Sequence, residues 1–360
     1  MTSSRQGYRV GVLGASSLLG QELLRVLQDR HFPTSRLLTF EEEEDLELPI
    51  LDLAGQAEFA RADEELSPGD LDFLFLAGRS SSASLGGEFL RRALEATRQP
   101  AGGAGGPREL SPWIIDLAEG IEEKETPAAT LRIPFLERAG RTLHPSPESR
   151  RLGSPHPAAI VLSALLSRLT ARFHLHSAVA QVFFPVSEIG PRGIEELQKQ
   201  AVNLLSFQKI PQTVFGAQLA FNLLGRLPGK QAVSLECFED RIRRQLRQYL
   251  TEPVPLPALQ LFQAAVFYSL AVSLYVETDQ AMLPEALEAA LQGEHVQLRR
   301  RSEPPPSPVE AAGSGDILVD NVTADQEHPT GCWIWSVVDN IRLAAENAVE
   351  IAGTLQERLQ

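Results

Sequence analysis

The apolar positions between Tyr8 and Leu27 change their spacing partway along this stretch, from that of a buried strand to that of a helix. The strand-like positions are Val10, Val12 and Leu13, and the helix-spaced ones are Leu18, Leu19, Leu23, Leu24 and Leu27. Four small residues, Gly14-Ala15-Ser16-Ser17, separate the two patterns. This order predicts a strand, a tight turn and an amphipathic helix. It is typical of the first half of a dinucleotide-binding βαβ unit.

The turn carries most of the glycine fingerprint of such a unit. The outer two glycines are present as Gly14 and Gly20. Ser17 stands at the middle position, where glycine normally lets the backbone approach the pyrophosphate. We therefore expect the fold to be kept and dinucleotide binding to be weak. The residues expected to lie against the pyrophosphate form the turn and the start of the helix: Gly14, Ser16, Ser17, Leu18 and Leu19.

Two polar stretches nearby each allow two interpretations. Residues 41–45 are acidic and follow a short predicted strand at 37–40. An acidic residue about 20 positions beyond the glycine turn holds the ribose hydroxyls of NAD in such units, which makes Glu41 a candidate; the alternative is a solvated acidic loop. The serines at 80–82 either hold phosphate on their N–H groups or cap a helix.

Two continuous apolar runs, LDFLFL at 71–76 and WIIDL at 113–117, predict central strands of a parallel sheet. The segment between them that is rich in glycine and proline, 99–111, predicts a surface insertion. Strands alternate with helices throughout this part of the chain. The first part is therefore predicted to be α/β with a parallel sheet.

Near residue 155 the pattern changes to that of an α+β domain with a mixed sheet. The most apolar run, 258–276, contains several polar residues, and we interpret it as two adjacent core strands rather than a membrane span. The proline-rich segment 299–315 predicts a flexible linker or loop. The other predicted elements are helices at 158–169 and 193–205, strands at 174–186, 258–262 and 265–277, and a strand followed by a long helix within 333–359.

Composition and charge narrow the class of protein. The chain has 360 residues, enough for two domains with separate cores. Its net charge of -14 disfavours nucleic acid and anionic membranes as partners. Two cysteines are too few for a disulfide framework and indicate a reducing compartment. No charged-then-apolar leader precedes the first strand, so we expect a cytoplasmic protein. No metal is predicted.

Several segments, in order along the whole chain, resemble the aspartate-β-semialdehyde dehydrogenase family. They are VGVLGASSLLGQELL, LDFLFLAGRSSS, WIIDLAEGI, GSPHPAAIVLSALL, PVSEIGPRGIEEL, QLAFNLLG, SLYVE and VDNIRLAAENAVEIAGTL. The resemblance implies a Rossmann-like dinucleotide-binding domain at 1–155, completed by the C-terminal segment 333–360. It also implies an α+β dimerisation and substrate domain at 156–332. Active members use NADPH to reduce aspartyl phosphate, and they are usually dimers.

The residues that carry the family's chemistry are replaced in this sequence. The family uses a cysteine thiolate at a helix N-terminus, where the helix dipole lowers the thiol pKa. Pro157 stands at that position, and Leu270 matches the histidine base. Gln263 matches the arginine that binds the substrate carboxylate, and Glu122 matches the arginine that binds phosphate. A family glutamine falls on Phe184.

Other family positions are kept. Ser187 is retained, and Glu239 and Arg241 match an acidic-then-basic substrate pair. Asn340 matches the asparagine near the nicotinamide, so it joins the predicted cofactor-binding residues. The acidic residues around Glu41 stand where the family places small and basic residues near the 2′-phosphate of NADP. This difference implies that NAD binds more tightly than NADP.

Several other residues are candidate replacements for the nucleophile or base. His156 is either a proton shuttle or, as is commoner, a capping or surface histidine. Cys237 and Cys332 do not match the family nucleophile, and a structural role is the commoner one for such cysteines. Ser154 and Ser163 would need a base nearby.

Three functional hypotheses follow from this pattern. The leading one is a catalytically inactive paralogue, a scaffold or regulatory protein that forms a homodimer, or a heterodimer with an active paralogue. The alternative is an active NAD(P)-dependent oxidoreductase of amino-acid biosynthesis with chemistry that needs no cysteine. The third is a nucleotide-sensing module that binds cofactor without turnover.

Overall fold

The computed structural model describes residues 7–40, 57–59, 67–78, 85–98, 111–119, 129–140, 150–228, 234–300 and 302–356. The chain divides into two compact units. The first unit contains Met1–Pro134, His144–Ser154 and Ala344–Gln360, and the second contains Phe135–Leu143 and Pro155–Leu343. Within the described part of the chain, no helix is both long and apolar enough to cross a bilayer.

The first unit is built on a parallel sheet. Its elements in chain order are β1 (Tyr8–Leu13), α1 (Leu18–Asp29), β2 (Thr34–Phe40), β3 (Ala57–Phe59), β4 (Phe73–Leu76), α2 (Leu85–Arg98), β5 (Trp113–Asp116), β6 (Thr130–Leu131), the start of α3 (Pro134–Arg138) and β7 (Arg151–Gly153). The strand order among the described residues is β3-β2-β1-β4-β5-β7-β6. Every pair in it is parallel. The predicted parallel α/β sheet is confirmed.

Apolar residues cover both faces of this sheet, as parallel strands require. On one face Val12 and Phe75 pack with Leu23 of α1 and with residues of the C-terminal helix such as Ala348. On the other face Leu13 and Leu74 pack with residues of α2. The continuous apolar runs of the sequence are therefore explained by burial on two sides. Residues of the last helix of the chain thus form part of this core.

The second unit contains a mixed sheet. Its elements in chain order are α4 (Pro157–Thr170), β8 (Leu175–Phe184), α5 (Pro191–Leu205), β9 (Leu223–Leu224), α6 (Leu235–Tyr249), β10 (Ala258–Ala264), β11 (Leu270–Thr278), α7 (Pro284–Leu291), β12 (Val296–Leu298), α8 (Pro308–Ala311), β13 (Ile317–Ala324), β14 (Gly331–Val338) and the start of α9 (Asn340–Leu355). The strand order among the described residues is β12-β13-β14-β11-β8-β10-β9. It contains two parallel pairs, β12 with β13 and β8 with β10, and its other pairs are antiparallel, which confirms the predicted mixed sheet.

Three details of the second unit differ from the sequence analysis. First, β10 and β11 are not neighbours, because β8 lies between them and pairs with both. Second, segment 302–312 is attached to its own unit: α8 lies in it, and Trp335 Nε1 donates to Pro306 O at 3.1 Å. Third, β14 pairs with β11 and β13, so residues 333–338, assigned to the first domain, belong to the second sheet. The spacing of apolar residues predicts that a segment forms a strand. It does not predict which other strands pair with that strand in the sheet.

One face of the mixed sheet is covered by helices α4, α6 and α7. Helix α4 is buried along nearly its whole length. On the opposite face, large apolar side chains are partly or largely exposed. They include Val179, Phe183, Phe262, Tyr275, Trp333 and Trp335. Phe183 stacks on Phe262 with ring centroids 5.6 Å apart, and Tyr275 lies 5.0 Å from Trp333. We refer to this face as the aromatic face.

Candidate functional site

Helix α4 begins at the position of the family nucleophile. His156 is the N-cap, and Pro157 is the first helical residue. Proline suits this position because its fixed φ is helical and it has no N–H that would be left unpaired. The backbone N–H of His156 donates to Oε1 of Gln245, at 2.7 Å. The start of the helix is therefore well ordered, but it presents a saturated ring where the family has a thiolate.

The His156 side chain makes hydrogen bonds through both ring nitrogens. Nδ1 lies 3.1 Å from the backbone N of Ala158, and Nε2 lies 3.1 Å from Oε2 of Glu188. The amide of Ala158 can only donate, so Nδ1 must be the unprotonated nitrogen. The proton therefore lies on Nε2 and is donated to Glu188. The alternatives for His156 are resolved in favour of the helix cap, since neither nitrogen is left to exchange a proton with a substrate.

Aromatic rings enclose the imidazole. The ring of Phe184 stacks on His156 with centroids 5.4 Å apart and planes 6° apart. Phe238 meets the same imidazole edge-on at 6.1 Å. His156 is buried as a result. The replacement of the family glutamine by Phe184 thus supplies one wall of an apolar enclosure.

Glu188 links this histidine to the start of the last helix. Its Oε1 accepts a hydrogen bond from Nδ2 of Asn340 at 2.8 Å. Asn340 also accepts from the backbone N–H of Ser269 at 3.0 Å and lies within hydrogen-bond distance of Ser187 Oγ. Burial alone would raise the pKa of Glu188, but the interactions with His156, Asn340 and Arg241 outweigh it and lower this pKa. The carboxylate is therefore ionised at neutral pH, and the cluster of His156, Ser187, Glu188 and Asn340 is internally paired.

The other replaced positions are also occupied by structural side chains. Leu270 is buried at the start of β11, opposite Val338. Gln263 is buried, and its Nε2 donates to the carbonyl oxygen of Phe184 at 3.0 Å. Neither side chain can act as a base or bind a carboxylate as an ion pair. Glu122 lies outside the described residues.

The structure separates the predicted substrate pair. Glu239 forms an ion pair with Arg243 one turn further along α6. Arg241 instead interacts electrostatically with Glu188. Arg241 thus joins the cluster around His156, whereas Glu239 belongs to the surface of its own helix. The sequence offered no signal for the roles of Gln245 and Phe238, and it showed Glu188 only as the residue after Ser187.

The candidate cofactor turn lies in the first unit, between β1 and α1. Gly14 has a positive φ of 77°, and a Cβ there would lie 2.9 Å from the backbone of Gly78. A Cβ on Gly20 would lie 2.1 Å from the carbonyl oxygen of Gly14. Both glycines are therefore required by the packing of the turn, with or without a ligand. Leu18 and Leu19 are the first two residues of α1, as predicted.

The fit of this turn to a pyrophosphate is partial. Ser17 caps α1: its Oγ accepts from the N–H of Gly20 and donates to the carbonyl oxygen of Ala77, both at 2.9 Å. The N–H of Ser17 donates to Gly14 O at 3.1 Å. Two amides near the helix N-terminus thus already have acceptors within the chain, although the compact turn is kept. Glu41 lies outside the described residues, and Asn340 belongs to the second unit, bonded as described above.

The remaining candidate nucleophiles lack the surroundings of an activated group. Cys332 is buried, and burial raises the pKa of its thiol, which disfavours the thiolate. Cys237 is exposed in the first turn of α6. Ser154 Oγ lies 2.8 Å from Nδ2 of Asn347, an amide that cannot serve as a base. Ser163 is buried within α4.

Known proteins match this chain over nearly its whole length. The USG-1 protein homolog of Pseudomonas aeruginosa is 29% identical over 349 residues, which cover 96% of each chain. The aspartate-semialdehyde dehydrogenase of Aquifex aeolicus is 25% identical over 356 residues, 97% of this chain and 98% of that protein.

Solved structures share the fold. A probable aspartate-semialdehyde dehydrogenase from Pseudomonas aeruginosa has a TM-score of 0.80 and 24% identity, covering 99% of this chain and 100% of that chain. An aspartate-semialdehyde dehydrogenase with NADP from Candida albicans has a TM-score of 0.62 and 11% identity, covering 97% and 98%.

A family model matches the second unit. Residues 166–343 match the model described as "Semialdehyde dehydrogenase, dimerisation domain". This match covers the C-terminal end of α4, all strands of the mixed sheet and the start of α9. Together with the relatives, it confirms the resemblance seen in the sequence: the chain belongs to the family of aspartate-semialdehyde dehydrogenase-like proteins.

Proposed function

We propose that this chain is a catalytically inactive member of its family that acts as a dimeric scaffold or regulatory protein. The observation that carries the proposal is the closed cluster at the start of α4. Pro157 stands at the nucleophile position, and both ring nitrogens of His156 are engaged, with Ala158 and Glu188. The family reaction needs a thiolate, a base and a cation for the substrate at this place. The side chains described there include no cysteine, the imidazole of His156 is bonded through both nitrogens, and the cation Arg241 interacts with Glu188.

We infer that selection has maintained dimer formation in this protein after the loss of catalysis. The aromatic face presents several partly exposed apolar side chains to water, and exposed apolar patches commonly mark protein–protein interfaces. It lies on the domain that matches the family's dimerisation model. Obligate homodimers commonly bury about 2,000 Å² or more, so contact across much of this sheet is expected. A regulatory role would act through the same face in a heterodimer with an active paralogue.

Sedimentation at micromolar concentration tests the dimer. We expect wild-type protein to sediment near twice the chain mass of 39.4 kDa. Val179 is 40% exposed at the centre of the aromatic face, and Val179→Arg should shift the protein towards the monomer because it places a charge in the interface. The matched control is Leu283→Arg, since Leu283 is 72% exposed beside α7, on the helix-covered side. A wild-type protein near 39.4 kDa would contradict the proposal.

We also propose that the first unit keeps a weak affinity for NAD. The compact turn at Gly14 and Gly20 supports this proposal, and the internal bonds of Ser17 account for the weakness. In the sequence, Glu41 stands where the family places small and basic residues near the 2′-phosphate of NADP. A carboxylate facing that phosphate costs about 1–4 kcal/mol of binding free energy, depending on exposure. Titration calorimetry with each dinucleotide should therefore show tighter binding of NAD. Tighter binding of NADP, or tight binding of either, would show that this interpretation of the turn is wrong.

A further inference from the structure

Apart from the site at α4, the mixed sheet brings together a second group of chemically active side chains. His174 directly precedes β8 and His176 lies in it, one residue apart, so both side chains leave the strand on the same side. Asp279 directly follows the neighbouring strand β11. Nδ1 of His174 lies 3.1 Å from Oδ2 of Asp279, and Nε2 of His176 contacts its other oxygen, Oδ1.

The backbone on each side of the carboxylate is fixed by the sheet. Strands β8 and β11 are antiparallel, and Thr278 pairs with Leu175 after a register shift. The N–H of Thr278 donates to Thr330 O at 3.0 Å, and its Oγ1 donates to Gln280 O at 2.8 Å. Asp279 is therefore presented to the two imidazoles by a strand end that is bonded before and after it.

We propose that His174, His176 and Asp279 form a binding site for a divalent transition metal ion, with Zn²⁺ as its ligand. One ligand atom from each residue lies within 4.8 Å of the others. Zinc binds imidazole nitrogen and carboxylate oxygen at about 2.0–2.2 Å, which places tetrahedral ligands about 3.4 Å apart. Small side-chain rotations achieve this, because all three side chains are more than half exposed. Two imidazoles disfavour Mg²⁺ and Ca²⁺, which prefer oxygen ligands.

The ion would connect the start of β8 to the end of β11, with water in the fourth position. His176 is exposed where Ala178 and Ala180 are buried, and it lies at the register shift between β8 and β11. The proposed site uses none of the residues that define the aromatic face. The sequence carried one signal for it, two histidines at strand spacing, but the carboxylate is more than a hundred positions away, and no metal was predicted.

Zinc titration of the full chain tests the site, after removal of any affinity tag and of bound metal by a chelator. Calorimetry should show one Zn²⁺ per wild-type chain. The His174→Ala/His176→Ala double variant and Asp279→Asn should each bind at least about tenfold more weakly, because even residues that only support metal ligands contribute that much. His31 is exposed and belongs to the first unit, so His31→Ala is the matched control and should bind as wild type does.

Thermal unfolding supplies a second readout. Zinc should raise the Tm of wild type and of His31→Ala but not that of the double variant, because only a ligand that binds the folded chain stabilises it. Circular dichroism of each variant without metal shows whether it is folded. The proposal is overturned if wild type binds no Zn²⁺ at micromolar concentration, if the double variant binds it undiminished, or if Asp279→Asn leaves the affinity unchanged.

Discussion

Purified protein should form no NADPH from aspartate semialdehyde, phosphate and NADP, and Pro157→Cys should not restore the reaction. In an enzyme with a covalent intermediate, loss of the nucleophile or its base costs about 10⁶-fold in rate. Here the base position holds Leu270 and the carboxylate-binding position holds Gln263, both buried. Restoring the thiol alone therefore leaves the other requirements unmet. Absorbance of NADPH, with an active dehydrogenase of the family as positive control, measures the rates.

A second variant, His156→Ala, tests whether any turnover that is observed depends on the site at the start of α4. His156→Ala removes the imidazole nearest to Pro157, the first residue to suspect as a general base. If wild type shows turnover above the uncatalysed background and His156→Ala abolishes it, the protein is an enzyme with altered chemistry and our proposal fails. Turnover restored by Pro157→Cys would also contradict us, because it would mean that a base and a substrate cation are still present.

Most of the fold could be predicted from the sequence because each element has a local signal. The strand, turn and helix around Gly14 follow from apolar spacing and small residues, and the structure reproduces them with Ser17 as the helix cap. The neighbours of a strand have no such signal. β8 inserts between β10 and β11, and β14 joins the second sheet, because strand pairing is decided by contacts distant in sequence.

The candidate site also has features with a local signal in the sequence and features without one. The replaced positions, such as Pro157 and Leu270, could be found by resemblance to the family. The hydrogen-bonded cluster that occupies these positions could not be predicted, because its residues are far apart in the sequence. Gln245 lies 89 positions from His156, and Asn340 lies 152 positions from Glu188. A glutamate after Ser187 has the pattern of an ordinary surface residue. Only the fold shows that it is a carboxylate with three partners.

The stability of the second unit should depend on the charge of Glu188. Its two oxygens accept from two different donors, His156 Nε2–H and Asn340 Nδ2–H. The side chain of glutamine has one oxygen, so Glu188→Gln satisfies one donor and places an NH₂ group against the other. Hydrogen bonds to charged groups contribute about 1.5–3 kcal/mol each. We therefore expect Glu188→Gln to lower the free energy of unfolding by about 2 kcal/mol at neutral pH.

The difference between wild type and Glu188→Gln should also depend on pH. The pKa of Glu188 is lowered in the folded protein from its ordinary value of 4.5. A carboxyl group of this kind contributes its full stabilisation above the unfolded-state pKa and loses it as the pH falls through the folded-state pKa. The two proteins should thus differ most near neutrality. The gap should begin to close as the pH falls below 4.5 and vanish once the folded carboxyl is protonated.

Urea unfolding followed by tryptophan fluorescence measures this gap. The chain has three tryptophans, and a Trp113→Phe background leaves Trp333 and Trp335, both in β14 of the second unit. Protein concentration is held constant, because dimerisation would shift the midpoint. The matched control is Glu195→Gln, on the exposed face of α5, whose ion pair with Lys199 is solvent-exposed and worth at most about 1 kcal/mol.

Each outcome bears on the cluster at α4. A large loss for Glu188→Gln at neutral pH, shrinking in acid, with little change for Glu195→Gln, is the expected result. Equal stability of wild type and Glu188→Gln would mean that the ionised carboxylate contributes nothing, and the cluster could not be what holds the start of α4. A loss that stays constant with pH would assign the effect to packing around Phe184 rather than to charge. In that case the replaced site would be closed by its aromatic rings alone.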